Sequence, residues 1–211
     1  MVEAFHAALD VANPHELLVV RGDGDGFSAG RPHAPGGHPD GPAAAQRALS
    51  ELVRLNDRIA NWPAPVIGVA HGYANGAALG LLQHMDIVVA ARGTRFSFPE
   101  ITYNLPPGLV VSYLRRYIEE KAVRYLVMTG EEVDAERARE MGLISLVVDP
   151  DALDATANDL ITKLGSRLEA EISLKATVAS FLPWTSSLAD TMQRGLASVV
   201  AWTRRPKKES V

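Results

Sequence analysis

Apolar positions along this chain fall into short unbroken runs separated by amphipathic stretches, and most runs end at a glycine- or proline-rich turn. Residues 2–9 carry apolar groups at helical spacing and stop before Asn13-Pro14, because a proline disfavours helix at the residue preceding it. Residues 17–20 form a continuous apolar run, as expected of a strand buried on both faces. That run breaks at Arg21-Gly22-Asp23-Gly24-Asp25-Gly26, a composition built for turns. After Phe27-Ser28-Ala29-Gly30, the stretch 31–42 is rich in Gly, Pro and His and predicts a loop that a ligand or partner orders. Residues 43–61 predict an amphipathic helix with Leu49, Leu52, Val53, Leu55 and Ile59 mostly on one side, closed by Pro63 and Pro65.

The pattern then repeats. Residues 66–70 predict a second buried strand, running into the turn His71-Gly72-Tyr73-Ala74-Asn75-Gly76 and a small-residue helix from Ala77 towards His84. Residues 86–91 predict a third strand, 96–105 mixed extended and loop structure, and 109–117, 122–128 and 134–141 short helices. Asp134 is suited to cap the last of these and Gly142 to stop it. Residues 143–148 return to strand. Strand, glycine turn, helix and strand in this order imply right-handed crossovers and a largely parallel sheet, an α/β architecture. From 151 onwards the pattern is helical, interrupted at Pro183, so residues 1–150 read as an α/β core and 151–211 as a C-terminal helical region.

Composition narrows this reading. The 211 residues are 47% hydrophobic and 22% charged, enough for one globular core without staples. A net charge of −4 argues against a nucleic-acid partner. There are no cysteines, so disulfides, thiolate nucleophiles and cysteine-held zinc are excluded, in keeping with a cytoplasmic setting. No apolar run approaches the ~18 residues of a membrane-spanning helix, and residues 1–11 do not have the make-up of a signal peptide. Arg204, Arg205, Lys207 and Lys208 form the one charge cluster, read as a solvated tail or as a contact for phosphates or a neighbouring subunit.

Two glycine turns after buried strands, separated by one amphipathic helix, suit a nucleotide or acyl-carrier ligand, and their wording is more specific. Phe27-Ser28-Ala29-Gly30 resembles the F-x-A-G segment of the crotonase (enoyl-CoA hydratase/isomerase) superfamily. Residues 65–78, from Pro65-Val66-Ile67 to Gly76-Ala77-Ala78, are similar to its P-V-I-A-A-V-x-G-x-A-x-G-G-G segment. Asp86-Ile87-Val88-Val89-Ala90 is similar to the following C-D-I-x-x-A strand, Phe96-Ser97-Phe98-Pro99-Glu100 to F-x-x-P-E, and Pro107-Gly108 to the downstream P-G. Thr129-Gly130, Ala135, Ala138 and Gly142-Leu143-Ile144 fit its T-G-x-x-x-x-A-x-x-A-x-x-x-G-L-V stretch. The resemblance runs over about residues 1–205 with the motifs in order.

The resemblance implies a crotonase-like (ClpP/crotonase) fold, a ββα-spiral core with a C-terminal helical region. It also implies an acyl-CoA or acyl-carrier thioester as substrate, with coenzyme A entering only as part of that substrate and no further cofactor or metal. Chemistry beside a thioester builds negative charge on its carbonyl oxygen, and two converging backbone N–H groups stabilise it, each contributing about 3 kcal/mol. The donor positions fall on Arg31 and Ala77, and a helix beginning at Ala77 favours an oxyanion. Ala29, Gly30, Gly76, Gly80, His84, Tyr103, Pro107 and Gly108 are expected around the substrate.

Family hydratases use two glutamates. One position falls on Glu100, whose plainer reading is a salt bridge with Arg95 or Arg92. The other falls on Gly80, which has no side chain. A single carboxylate suffices to move a proton between C2 and C4, so the resemblance favours a double-bond isomerase. Hydratase or dehydratase, decarboxylase or C–C hydrolase, and a non-catalytic helper subunit stay open. Glu100 needs a raised pKa to hold a proton near neutral pH. His84 lies one helical turn beyond Gly80, facing the same cavity or resting as a satisfied core histidine. His33 and His38 are expected to be solvated, Asn75 to brace its turn, and Tyr103 and Asn104 to line the pocket or bond the turn before Pro106.

Family chains open with a β-hairpin and a strand carrying N-R-P, ahead of the helix at which this sequence begins. Without them, a sheet edge and a basic contact for the CoA phosphates are expected to be missing. Trimers or dimers of trimers are the family's usual assembly, with C-terminal helices over a neighbour's site, and the apolar stretch 196–202 suits either that or an intramolecular face.

Overall fold

The short apolar runs pair into one parallel sheet. A computed structural model describes residues 2–31, 40–181 and 187–203. Helix α1 (Val2–Val11) precedes β1 (Leu18–Arg21), α2 (Gly41–Ala60) and β2 (Val66–Ala70). Then come β3 (Tyr73–Asn75), α3 (Ala77–Leu82), β4 (Ile87–Ala91), β5 (Arg95–Ser97) and a 3-10 helix, Pro99–Tyr103. Helices α4 (Gly108–Leu114) and α5 (Glu120–Thr129) lead to β6 (Val133–Asp134), α6 (Ala135–Glu140) and β7 (Leu146–Val148). A 3-10 turn at Pro150–Ala152 opens α7 (Leu153–Gly165), α8 (Leu168–Phe181) and α9 (Leu188–Thr203). Pro183, His33, His38 and the basic residues Arg204, Arg205, Lys207 and Lys208 lie outside the described residues.

The main sheet runs β1-β2-β4-β7, parallel throughout. Because successive side chains of a strand point to opposite faces, Val66 and Ala70 enter the larger core with α2, α3 and α4. Ile67 and Val69 enter a second core with Leu153, Ala157 and Leu164 of α7. Every residue of β2 is therefore buried, which is why its sequence is continuously apolar rather than alternating.

Four features depart from the sequence reading. A second sheet, β3-β5-β6, stands beside the first, assembled from strands of two or three residues. Such pieces are too short to carry a hydrophobic period. Asp86 is not part of a strand; its Oδ2 accepts from the Val66 N–H at 2.7 Å and from Lys175 Nζ at 2.6 Å, tying α8 to the entrance of β2. Leu143 and Ile144 are buried but precede the strand, and α4 ends at Leu114, short of Tyr117. At α6 the Asp134 side chain caps the helix by accepting from the Arg137 N–H at 2.8 Å.

Helix α9 lies against α4 and α2 of the same chain, with Met192, Leu196 and Val199 buried. Its Gly195 is required there: a Cβ would stand 2.6 Å from Ser112 Cβ and 2.7 Å from the Gly108 carbonyl. Among the described residues no helix is long and apolar enough to cross a membrane, and no three His, Asp or Glu residues gather in a way that holds a metal ion.

Candidate active site

Two chain turns meet where β1 and β2 give out. Ser28 bridges Ala74 in parallel, with Ser28 N–H donating to Tyr73 O at 3.2 Å and Asn75 N–H to Ser28 O at 3.1 Å. Ser28 Oγ accepts from the Gly30 N–H at 3.1 Å. Gly30 then takes φ +80, a region L side chains avoid, and presses on the second turn. A Cβ there would lie 2.3 Å from Asn75 O and 3.3 Å from Ala77 N. This contact sets the Gly30 backbone, which leads into Arg31, against the Ala77 N–H; Ala29 is exposed. Asn75 braces its turn by accepting from Ser97 Oγ at 2.9 Å, and Gly76 N–H donates to Ser97 O at 2.9 Å. Ala77 is the first residue of α3, so its N–H has no partner within the helix. That helix has only six residues, so its macrodipole is small and the N–H groups themselves are what the turn offers.

Glu100 reaches this point from the 3-10 helix. Its Oε1 faces the bare Cα of Gly76, where a Cβ would stand 3.0 Å away, and its Oε2 is buried without a hydrogen-bond partner. Burial pushes the carboxyl above the ordinary carboxylate range, opposed by its own backbone N–H and by Arg31. Burial in turn pulls the Arg31 guanidinium down, countered by Glu100. Neither arginine expected as a salt-bridge partner takes that role: Arg92 pairs with Glu136 and Asp149, and Arg95 with Glu132 at 3.7 Å. A carboxyl raised in the folded state costs nothing at low pH, where both states are protonated. Stability is lost as pH climbs from the unfolded carboxylate value through the raised folded one. Glu100→Gln is therefore expected to raise Tm at pH 7 and to leave it nearly unchanged at pH 4, as thermal melts at the two pH values would show.

One turn along α3, the space above Gly80 is occupied. A Cβ there would stand 2.2 Å from the hydroxyl oxygen of Tyr113, a residue of α4 with 2% of its surface exposed. His84 packs behind it, ring centroids 4.7 Å apart, and its Nδ1 pairs with Tyr117 Oη at 2.8 Å while Nε2 is buried without a partner. Burial, reinforced by Arg116, pushes the His84 pKa down to about 3. The residue is neutral in the folded protein and protonates on unfolding near its usual value. Stability is accordingly lost as pH falls from about 6.5 towards 3, by about 1.4 kcal/mol per unit at most. Denaturant unfolding at pH 7 and pH 5 is expected to show this loss, and His84→Phe to flatten it.

Pro107 and Gly108 line a cavity of about 500 Å³ with Pro106, Val111, Thr191 and Arg194, closed on one side by α9. Tyr103 is half exposed and does not line it. Asn104 adopts a left-handed conformation, φ 56, that ends the 3-10 helix, its N–H donating to Ile101 O at 3.0 Å. Of the residues singled out from sequence, Gly30, Arg31, Gly76, Ala77 and Glu100 converge, and Gly80 adjoins them. Tyr113 carries no motif that marks it in the sequence. The signal was present in Gly80, since a missing side chain in a packed helix leaves room that another residue fills.

A model of the enoyl-CoA hydratase/isomerase family matches residues 1–194, and the chain belongs to that family. It is similar to the 1,2-epoxyphenylacetyl-CoA isomerase of Escherichia coli (strain K12), with 34% identity over 157 residues, 71% of this chain and 59% of that protein. It is similar also to the probable enoyl-CoA hydratase of Rhizobium meliloti (strain 1021), with 29% identity over 196 residues, 92% of this chain and 73% of that protein. The crystal structure of an enoyl-CoA hydratase/isomerase from Xanthobacter autotrophicus Py2 superposes with a TM-score of 0.82 at 25% identity, covering 96% of this chain and 77% of that one. The fold is thus the crotonase fold.

Proposed function

We propose that this chain acts on an acyl-CoA thioester and moves a carbon–carbon double bond, with Glu100 as its single acid/base. The observation that carries this reading is the pairing of Glu100 Oε1 against Gly76 with the absence of any side chain at Gly80. The thioester oxygen lies between the N–H groups of Arg31 and Ala77. Glu100 takes a proton from C2 of a 3-enoyl-CoA, and the electron pair moves onto the thioester oxygen as an enolate, which the two N–H groups stabilise. Glu100 then returns the proton to C4 while the double bond forms between C2 and C3. A raised carboxyl pKa suits both halves, because the group must accept and release the same proton near neutral pH. Hydration needs a water held and activated, usually by two carboxylates, and among the described residues Glu100 stands at this point without a second one at Gly80.

The experiment is turnover of a 3-enoyl-CoA in water enriched in ¹⁸O. The expected product is the 2-enoyl-CoA without the label. No turnover of the 3-enoyl-CoA, together with labelled 3-hydroxyacyl-CoA when a 2-enoyl-CoA is supplied instead, would replace isomerisation by hydration, and failure of any CoA thioester to bind in calorimetry would remove the enzyme reading altogether.

A further inference from the structure

Gly30 and Glu100 press on the turn Asn75-Gly76-Ala77 from two separate segments. A Cβ on Gly30 would lie 2.3 Å from Asn75 O, and one on Gly76 would lie 3.0 Å from Glu100 Oε1. Arg31 follows Gly30 directly, so its side chain leaves the backbone at the turn that Glu100 faces. The Arg31 side chain is partly buried and its guanidinium feels the charge of Glu100. Among the described residues it forms no ion pair and no hydrogen bond, with Glu100 or with any other group. Arginines elsewhere on the chain find a carboxylate: Arg58 Nη2 lies 2.9 Å from Asp10 Oδ1, and Arg167 Nε 2.6 Å from Glu171 Oε1.

A long basic side chain ordinarily lays its stem on the protein and keeps its charge in water. Drawing that charge inward costs desolvation, and no group on the described chain is bonded to Arg31 to offset it. A carboxylate on a ligand offsets it, because the planar fork of an arginine bonds both carboxylate oxygens at once. The phosphates of coenzyme A lie across the thioester from the acyl chain, whereas Arg31 interacts with Glu100, the group that serves C2 and C4.

Building on the acyl-CoA reading above, we infer that the Arg31 side chain is a specificity residue that binds a second carboxylate, at the far end of the acyl chain. C4 must stay free to take back the proton, so that carboxylate stands at C5 or beyond. The substrate class is therefore an ω-carboxyacyl-CoA rather than a plain hydrocarbon chain. Occupying the guanidinium also acts on Glu100. Arg31 opposes the rise of the Glu100 pKa, and a carboxylate bound to Arg31 cancels that influence, so Glu100 takes its proton more readily.

Calorimetry on the full chain tests this with hexanoyl-CoA, pentanedioyl-CoA, hexanedioyl-CoA and the 6-methyl ester of hexanedioyl-CoA. At least one of the two diacid thioesters is expected to bind about tenfold more tightly than hexanoyl-CoA, as a charge-assisted pair provides. The ester, which has the shape without the charge, is expected to bind like hexanoyl-CoA. Arg31→Gln keeps the backbone N–H and is expected to bring the diacid preference to about one. Arg31→Lys keeps the charge but not the fork and is expected to lose part of the preference. The preference is a ratio within one protein, so a smaller folded fraction affects both ligands alike. No preference for either diacid in the wild type, or an unchanged preference in both variants, would overturn the inference while leaving the acyl-CoA reading in place. Binding of none of the four compounds would instead overturn that reading and this inference with it.

Discussion

Glu100→Gln is expected to lower kcat for a 3-enoyl-CoA by about 10²–10⁴-fold, the range in which a positioned acid/base contributes. The substitution keeps the volume and the hydrogen-bonding outline but cannot exchange a proton. The proposed oxyanion donors, Arg31 and Ala77, act through backbone groups on other segments and stay in place, so KM is expected to move far less than kcat. The pH dependence carries a second sign. Burial raises the Glu100 pKa, and the ionised form is the one that abstracts the proton. The acid limb of the kcat profile is thus expected above the usual carboxylate range, and wild-type activity to fall as pH drops through it. Steady-state kinetics over pH 4–9 measures both effects. Unchanged turnover in the Gln variant would remove Glu100 from the chemistry.

Gly30→Ala is expected to damage turnover severely although it adds a single methyl group. The residue sits at φ +80, and its Cβ would meet the Asn75 carbonyl at 2.3 Å, a backbone atom that cannot swing aside. Left-handed backbone costs an L-residue about 1–2 kcal/mol, and the contact adds to it by prising the two turns apart. Because the Arg31 and Ala77 N–H groups belong to those turns, kcat is expected to fall by about 10²–10³-fold, as when one oxyanion donor is lost. Gly24→Ala separates the two causes. Gly24 has φ +88, but nothing lies within 4 Å of its Cβ position. That variant is expected to lose stability through backbone strain alone and to retain turnover. Thermal melts and kinetics of the two variants side by side check this; equal activity losses would mean that the close approach at Gly30 does not hold the site together.

Much of the candidate site was legible because its parts are local. The turn glycines Gly30 and Gly76 have positive φ, and glycine-rich wording after a buried strand announces such turns. Glu100 was marked by the F-x-x-P-E wording, yet whether it was a surface ion pair depended on where Arg92 and Arg95 turn. They turn to Glu136, Asp149 and Glu132, residues far along the chain. Tyr113 stayed invisible for a related reason: a tyrosine on an amphipathic helix looks like core until the position facing it is known.

The sequence by itself determined the parallel strands, most helix limits, the Asp134 cap and the glycine turns, because these rest on backbone preferences and hydrophobic period within a few residues. The tertiary structure alone decided the second sheet, the Asp86 clamp on β2 and the placing of α9 over its own chain. It alone set the Tyr113 hydroxyl against Gly80. Each of these is a contact between segments distant along the chain. The volume and polarity that one element presents are fixed only when another has packed against it.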